Sequence, residues 1–324
     1  MDNLLSSIKK NIKKNPYNEE IKEIMNKYDL NYEIIKKHIE NMSIYIDFDE
    51  IIVALIPAWV EYMKNVGILN EQTNKPFIEK EIDSFDKFDK IGSKAMNFLD
   101  DFFLYLSLDE AKKINPSYER FFSEIKMKDD AIELFKILKN IKIDNIKEPE
   151  KEKTLFDNIK ILTASAPKTH WSKYEFIKNN IPEINLKTQL ITTGDKSNIN
   201  DIREFAILID DGIHNHVNAT KNNDFITTFL LDYQHNQELK TREDGFGKRI
   251  FRIKSLSEQD FFDKLLLAAV QDIGKKIQKD LNNNLIQLPY YQEHINELKK
   301  DDEKIIKIIN KIDEKKDFNF GMNK

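Results

Sequence analysis

The chain has no cysteine, and this absence removes several classes of protein at once. Without cysteine there is no disulfide, no thiolate zinc site and no cysteine nucleophile. Long hydrophobic runs are also missing, since none approaches the ~18 consecutive apolar residues of a membrane-spanning helix. The first residues, MDNLLSSIKKNIKK, lack the apolar segment and the cleavage site of a secretion signal. These absences predict a cytoplasmic protein without a membrane partner.

Glycine, proline and arginine are scarce as well. Eight glycines and eight prolines make up about 5% of the 324 residues, against roughly 12% in average usage. A sandwich or barrel of many short strands needs more turn residues than this, so the composition favours a helix-rich fold. Only five of the 51 basic residues are arginine, and the net charge of −5 argues against polymeric nucleic acid as a partner.

Short apolar runs recur along the chain, and helical patterns separate most of them. They lie at residues 43–48, 159–163, 189–192, 205–209, 229–231 and 249–253. Near-continuous apolar strands that alternate with helices are typical of a parallel sheet covered on both faces. We therefore predict an α/β fold, with a three-layer, Rossmann-like parallel sheet.

The interval between the first and second runs has a different pattern. Residues 51–154 show helical periodicity with little strand pattern, and they end in the charged run NIKEPEKEKT. We predict that 51–154 form a mostly helical cap, inserted after the first strand into a catalytic core made of 42–50 and 155–280. Helical extensions are predicted at 1–41 and 281–324.

Acidic residues stand at the ends of two predicted strands. Asp47 and Asp49 follow the first strand, and Asp210 and Asp211 follow the fourth. Because the carboxyl ends of parallel strands meet at the crevice where ligands bind, we expect these four side chains to lie together. Four clustered carboxylates repel one another unless a cation neutralises them, and oxygen-only ligands suit Mg²⁺.

Groups that suit a phosphate follow the second and third strands. The second strand ends at Thr163, with Ala164 and Ser165 directly after it, and these offer hydroxyl and backbone donors. Lys196 follows the third strand, within TTGDKSN, where an ammonium group would balance the charge of a phosphate. Taken singly, each of these features also fits an ordinary turn, helix cap or surface lysine. The hypothesis of a phosphate site with a cation rests on the order in which all these features occur along the chain.

Four segments in this order resemble the motifs of the haloacid-dehalogenase-like (HAD) phosphohydrolases. They are DFDEI (47–51), ILTAS (161–165), GDKS (194–197) and ILIDD (207–211). Within that superfamily, the stretch ILTASAPKTHWSKYEFIKNNIP, the short interval from GDKS to IDD, and FLLDYQHNQ (229–237) are most similar to the 5′(3′)-deoxyribonucleotidases. The resemblance covers roughly residues 43–265.

The resemblance implies a Mg²⁺-dependent phosphoric monoester hydrolase that converts (deoxy)ribonucleoside monophosphates into nucleoside and phosphate. Asp47 would be the nucleophile that forms an aspartyl-phosphate, and Asp49 the general acid and then the general base. Mg²⁺ would be held by Asp47, Asp211 and the backbone carbonyl of Asp49, with Asp210 acting through water or from behind. Contacts to phosphate would come from Thr163, Ala164 and Lys196, and further substrate contacts from Ser165 and Lys168.

Two alternatives stay open at this stage. The first is a HAD phosphatase for another small phosphate ester, because the cap sets the substrate and is the least recognisable part. The second is a non-catalytic HAD-fold binding protein that uses its helical extensions for interaction. The family often has glycine after the second aspartate, whereas this chain has Glu50, which leaves the substrate preference open. Whether the chain forms a homo-oligomer is also left open.

Overall fold

A computed structural model of the chain describes residues 4–65, 69–70, 73–76, 78–81, 122, 125–145, 150–164, 167–193, 205–223, 226–237, 249–256 and 258–282, except the side chains at 59, 62–63, 81, 167–171, 222, 258 and 280–282. The helices are α1 (Leu4–Lys14), α2 (Asn18–Lys27), α3 (Tyr32–Glu40), α4 (Leu55–Asn65), α5 (Asp129–Asn140), α6 (Pro167–Asn180), α7 (Ile213–Asn222) and α8 (Glu258–Asn282). The strands are β1 (Ser43–Asp47), β2 (Leu69–Asn70), β3 (Lys75–Pro76), β4 (Lys142–Ile143), β5 (Lys153–Thr154), β6 (Ile159–Thr163), β7 (Leu190–Thr192), β8 (Ala206–Asp210), β9 (Ile226–Leu231) and β10 (Ile250–Ile253). Within these ranges, none of the helices has the length and apolarity needed to cross a membrane.

Six strands form one parallel sheet in the order β10–β9–β8–β1–β6–β7. The chain passes from β1 to β6 and β7 on one side, and then returns to β8, β9 and β10 on the other. The strand order therefore reverses between β1 and β8, the point where open parallel sheets bind ligands at their carboxyl edge. The predicted α/β fold with a Rossmann-like parallel sheet is confirmed.

The central strands are covered on both faces. Every residue of β8 and β9 is buried, and side chains of a strand point alternately to opposite faces. Helix α7 packs against β8, β9 and β10. Phe229 of β9 is fully buried and meets Phe251 and Phe261 edge-on, with ring centroids 5.9 Å apart in both pairs. Each such aromatic pair contributes ~0.5–1.5 kcal/mol beyond the area that it buries.

The segment after β1 pairs with the segment before α5. Val53 forms an isolated antiparallel bridge with Met127. The backbone N–H of Ala54 donates to the carbonyl of Lys126 at 3.2 Å, and that of Lys128 to the carbonyl of Ile52 at 2.9 Å. The intervening chain includes α4 and the β2–β3 hairpin, whereas residues 82–121 lie outside the described residues. The helical cap over 51–154 therefore stays a prediction.

The chain divides into two compact units. The first contains residues 41–261 and the whole six-stranded sheet. The second contains Leu4–Glu40 and the part of α8 from Phe262 onward, which the sequence analysis assigned to the core as far as 280. Inside the second unit, Asn15 Nδ2 donates to the carbonyl of Asp263 at 3.0 Å. Contacts of this kind join segments far apart in sequence, so periodicity alone does not reveal which helices pack together.

Buried charged side chains contact one another inside this helical unit. His38 Nε2 and Lys276 Nζ lie 2.9 Å and 2.6 Å from the same oxygen of Asp272. Burial alone would raise the pKa of Asp272, but the hydrogen bond with His38 and the charge of Lys276 outweigh it and hold that pKa below its usual range. Removing one partner would leave a buried charge uncompensated, which is strongly destabilising.

Candidate active site

Three aspartates from neighbouring strands converge at the carboxyl edge of the sheet. Asp47 ends β1, Asp210 ends β8, and Asp211 follows it. One carboxylate oxygen of each lies within 4.8 Å of those of the other two, and the three residues are 3%, 0% and 4% exposed. Buried carboxylates so close together repel one another, and burial adds a desolvation cost. This set of oxygen donors therefore fits a hard divalent cation such as Mg²⁺.

Hydrogen bonds fix two of these carboxylates from behind. Asn215 Nδ2 donates to both oxygens of Asp210 at 3.0 Å, and the backbone N–H of Gly212 donates to Oδ1 at 2.7 Å. A Cβ atom at Gly212 would lie only 3.0 Å from Asn215 Nδ2, so the glycine permits this close approach. The backbone N–H of Phe48 donates to Asp47 Oδ1 at 2.7 Å. The α7 N-terminus and the β1 turn thus set the two side chains in place.

The loop after β9 supports Asp211. His235 is 2% exposed, and its Nε2 lies 2.9 Å from Asp211 Oδ2. Asn236 Nδ2 donates to the carbonyls of Asp211 and Leu231, at 3.1 Å and 2.8 Å. The ring of Tyr233 stacks on His235, with centroids 5.2 Å apart. In the sequence this segment contributed to the family resemblance, but none of its residues was given a role, although polar residues directly after a strand of the same sheet were a usable signal.

His235→Asn is expected to weaken binding of a divalent cation roughly 10–100-fold, the loss typical of residues that orient a metal ligand. The shorter amide side chain no longer holds Asp211 Oδ2 in place. Isothermal titration calorimetry with Mn²⁺ measures the loss directly and without turnover. His214→Asn, at an exposed position on α7, is the matched control. Equal Mn²⁺ affinity in both variants would contradict this role of His235.

A buried lysine connects Asp49 with the end of β6. Lys173 of α6 is 2% exposed, and its Nζ donates to Asp49 Oδ2 and Oδ1 at 2.7 Å and 3.0 Å. The same Nζ donates to Thr163 Oγ1 at 2.9 Å and to the carbonyl of Ala164 at 3.0 Å. Sequence analysis missed Lys173. The available signal was its spacing of three and four residues from Phe176 and Ile177, which places it on the buried face of the helix.

Glu50 follows Asp49 in the turn after β1, and its backbone φ of 57° lies in the left-handed region. Its carbonyl accepts hydrogen bonds from Lys128 Nζ at 2.8 Å and from Tyr233 Oη at 2.7 Å. Its carboxyl oxygen Oε1 accepts a hydrogen bond from the backbone N–H of Ile56. Burial, followed by the nearby charge of Asp211, raises the pKa of Glu50 to about 8.

The structure brings the predicted site residues together in two groups. Asp47, Asp210 and Asp211 form the carboxylate cluster, and Lys173 joins Asp49 to Thr163 and Ala164. Ser165 and Lys196 lie outside the described residues, as does the side chain of Lys168. The catalytic and ligand-binding roles of all these residues stay predictions.

The chain is similar to known proteins in its fold and not in its sequence. No protein-family model matches the chain, and its sequence matches no curated protein. A HAD hydrolase from Bacillus subtilis, YfnB, solved with magnesium, is 14% identical at a TM-score of 0.37, over 66% of this chain and 95% of that one. A family IA HAD hydrolase from Entamoeba histolytica is 16% identical at 0.33, over 70% and 99%. A HAD family hydrolase from Deinococcus radiodurans, with bound phosphate and sodium, is 10% identical at 0.34, over 65% and 90%. These three solved structures are HAD hydrolases, and each is similar to the chain only at low identity and low TM-score.

Proposed function

We propose that the chain is a HAD-like, Mg²⁺-dependent phosphomonoesterase, and that its substrates are (deoxy)ribonucleoside monophosphates. The observation that carries the proposal is the buried cluster of Asp47, Asp210 and Asp211 at the point where the strand order reverses. Asp49 lies two residues from Asp47, and its side chain remains partly exposed, at 22%. A partly accessible carboxylate beside a buried one suits a proton carrier beside a nucleophile.

The cation would be held by Asp47, Asp211 and the backbone carbonyl of Asp49. When bound, it neutralises charge on these carboxylates and on the phosphate oxygens. Asp210 would support the site without contacting the cation directly, because its oxygens already accept hydrogen bonds from Gly212 and Asn215. His235 would keep Asp211 oriented toward the cation.

The reaction would proceed in two displacements at phosphorus. In the first, a carboxylate oxygen of Asp47 attacks phosphorus, the ester P–O bond breaks, and the leaving oxygen takes a proton from Asp49. In the second, Asp49 takes a proton from water, whose oxygen attacks phosphorus and breaks the bond to Asp47. The products are the alcohol and inorganic phosphate, and both aspartates return to their starting states. Thr163, Ala164 and Lys196 would contact the phosphate oxygens.

The preference for nucleotides rests on the sequence resemblance, in particular on the segments after β6 and β9. Another small phosphate ester is the second candidate, because the residues that would recognise a base lie in the predicted cap. A non-catalytic binding protein is disfavoured on physical grounds. Clustered, buried carboxylates cost stability, and such groups concentrate at functional sites.

The test is a panel of 5′- and 3′-nucleoside monophosphates, sugar phosphates and p-nitrophenyl phosphate, assayed with Mg²⁺ and with EDTA. We expect Mg²⁺-dependent release of phosphate, fastest from the nucleotides, and no turnover in EDTA until Mg²⁺ is restored. Faster hydrolysis of sugar phosphates would replace the nucleotide assignment with the second candidate. Turnover that persists in EDTA would contradict the metal's role, and no turnover of any ester would favour the binding protein.

A further inference from the structure

We propose that Lys173 is a positioning residue, which orients the carboxylate of Asp49 for proton transfer and does not bind the phosphoryl group. The proposal rests on the proposed function and concerns how one of its groups is controlled. It also separates Lys173 from the lysine predicted to bind phosphate, Lys196, which lies elsewhere in the sequence.

The hydrogen bonds of Lys173 account for its whole donor capacity. An ammonium group has three N–H donors and no acceptor. Its Nζ contacts both carboxylate oxygens of Asp49, Thr163 Oγ1 and the carbonyl of Ala164, all within 3.0 Å. One donor shared between the two Asp49 oxygens and one for each of the others use all three. No donor is left for an incoming phosphate oxygen.

Aromatic rings cover the same ammonium group. Its Nζ lies 5.2 Å from the ring centroid of Phe48 and 4.5 Å from that of Phe122. Phe48 and Phe122 are themselves fully buried or nearly so. Rings at this distance stabilise a cation but offer it no exchangeable partner. Lys173 is thus enclosed by protein, whereas the Asp49 side chain that it holds remains 22% exposed.

The geometry of Asp49 explains why such a partner matters. Proton transfer needs a carboxylate oxygen within hydrogen-bond reach of the leaving oxygen, and later of the attacking water. A misplacement of about 1 Å costs roughly 10²-fold in rate. Lys173 contacts both oxygens of the carboxylate and, through Thr163, fixes it relative to β6. Each carboxylate oxygen keeps a second lone pair for substrate or water.

This role predicts a dependence on the leaving group. p-Nitrophenolate leaves without taking a proton, whereas the alkoxide of a nucleoside leaves only with one. If Asp49 is misoriented, the first displacement slows for a nucleoside monophosphate and stays fast for p-nitrophenyl phosphate. The second displacement still needs Asp49 to deprotonate water, so the aspartyl-phosphate accumulates. A lysine that binds phosphate would instead slow the first displacement of both esters alike.

The experiment compares Lys173→Met with the wild type and with Lys178→Met, an exposed lysine on the same helix. For Lys173→Met we expect kcat on a nucleoside monophosphate to fall roughly 10²–10³-fold, within the range of general acid–base effects. With p-nitrophenyl phosphate we expect a burst of about one p-nitrophenolate per chain, followed by slow turnover. Inhibition by inorganic phosphate should keep its wild-type constant. Asp49→Asn should give the same pattern, and the double variant should lose little more than either single one.

If the Met variant does not fold, Lys173→Arg keeps a positive charge at this position. We expect Lys173→Arg to restore part of the rate on the nucleotide and to shrink the burst. Equal losses on both esters, without a burst and with at least tenfold weaker phosphate inhibition, would make Lys173 a phosphate ligand and overturn the proposal. An unchanged ratio of the first-displacement rates of the two esters, measured before the steady state in the folded variants, would also overturn it. If the wild type hydrolyses neither ester, the proposed function is wrong, and so is the role of Lys173 that rests on it.

Discussion

Asp47→Asn is expected to lower phosphatase turnover by at least about 10³-fold, the scale of loss when a covalent nucleophile is removed. The amide has nearly the shape of the carboxylate, but it is a poor nucleophile and lacks the negative charge that a cation requires. Its oxygen can still accept the hydrogen bond from the backbone N–H of Phe48. The local turn after β1 therefore has no reason to change.

Stability separates a chemical defect from a folding defect in this variant. Asp47 lies within 4.8 Å of two other buried carboxylates, so removing its charge relieves repulsion in the metal-free protein. Thermal unfolding in EDTA should therefore show a melting temperature equal to or above that of the wild type. Glu133→Gln, at an exposed position beyond the first turn of α5, controls for the loss of one negative charge. Near-normal turnover in Asp47→Asn would exclude the aspartyl-phosphate mechanism.

The sheet was predictable because its strands have a simple signature. Strands such as β8 and β9 are buried on both faces and appear in the sequence as continuous apolar runs. The position of the aspartates follows from the same signature. A charged residue that ends such a run lies at the carboxyl edge of the sheet, so the sequence predicts that Asp47, Asp49, Asp210 and Asp211 lie together. Three of the four form the cluster, whereas Asp49 pairs with Lys173.

Lys173 was not predictable in the same way. A helix presents several faces, and the chain has 46 lysines (51 basic residues less five arginines), so a lysine in a helix is by itself weak evidence of a role. What distinguishes Lys173 is that its helix turns it inward beside Phe176, against Phe48 and Phe122. Phe122 is distant in sequence, so this environment depends on tertiary packing that no local pattern encodes.

The charged run 145–154 shows a different limit. Its composition is typical of a linker, and the sequence analysis placed the end of the cap there. In the structure, β4 and β5 form a small antiparallel hairpin around it, with Lys142 opposite Thr154 and Ile143 opposite Lys153. The segment after β1, at 52–54, pairs with the backbone at 126–128, which lies before α5 and not in the charged run. Pairs as short as this carry no period that a sequence could reveal.

Glu50 was recognised from the sequence as a departure from the family pattern, but not as a strained residue. Its left-handed backbone conformation costs about 1–2 kcal/mol in a residue other than glycine. Hydrogen bonds from Lys128, Tyr233 and Ile56 converge on it and offset this cost. The residue therefore links the β1 turn to α4, to the segment before α5 and to the loop after β9.

Glu50→Gln is expected to stabilise the metal-free protein at alkaline pH and to have little effect at pH 5. The pKa of Glu50 is about 8 in the folded chain, against an ordinary value of 4.5. Below pH 4.5 both the folded and unfolded chains carry the proton, so its contribution to stability is fully present. Between pH 4.5 and 8 the unfolded chain loses the proton first, and each pH unit in this window lowers the free energy of unfolding by about 1.4 kcal/mol. Glutamine carries no charge, and its amide oxygen can still accept the hydrogen bond from Ile56.

Urea unfolding in EDTA at pH 5, 7 and 9 measures this effect. The gain in free energy of unfolding from Glu50→Gln should grow with pH and reach several kcal/mol at pH 9. Glu175→Gln, an exposed position on α6, should show no such growth. With Mg²⁺ present the gain should shrink in part, because a cation would neutralise the charge of Asp211, which after burial is the second cause of the raised pKa of Glu50. A gain that is the same at all three pH values would contradict the raised pKa and would attribute the effect of the substitution to packing alone.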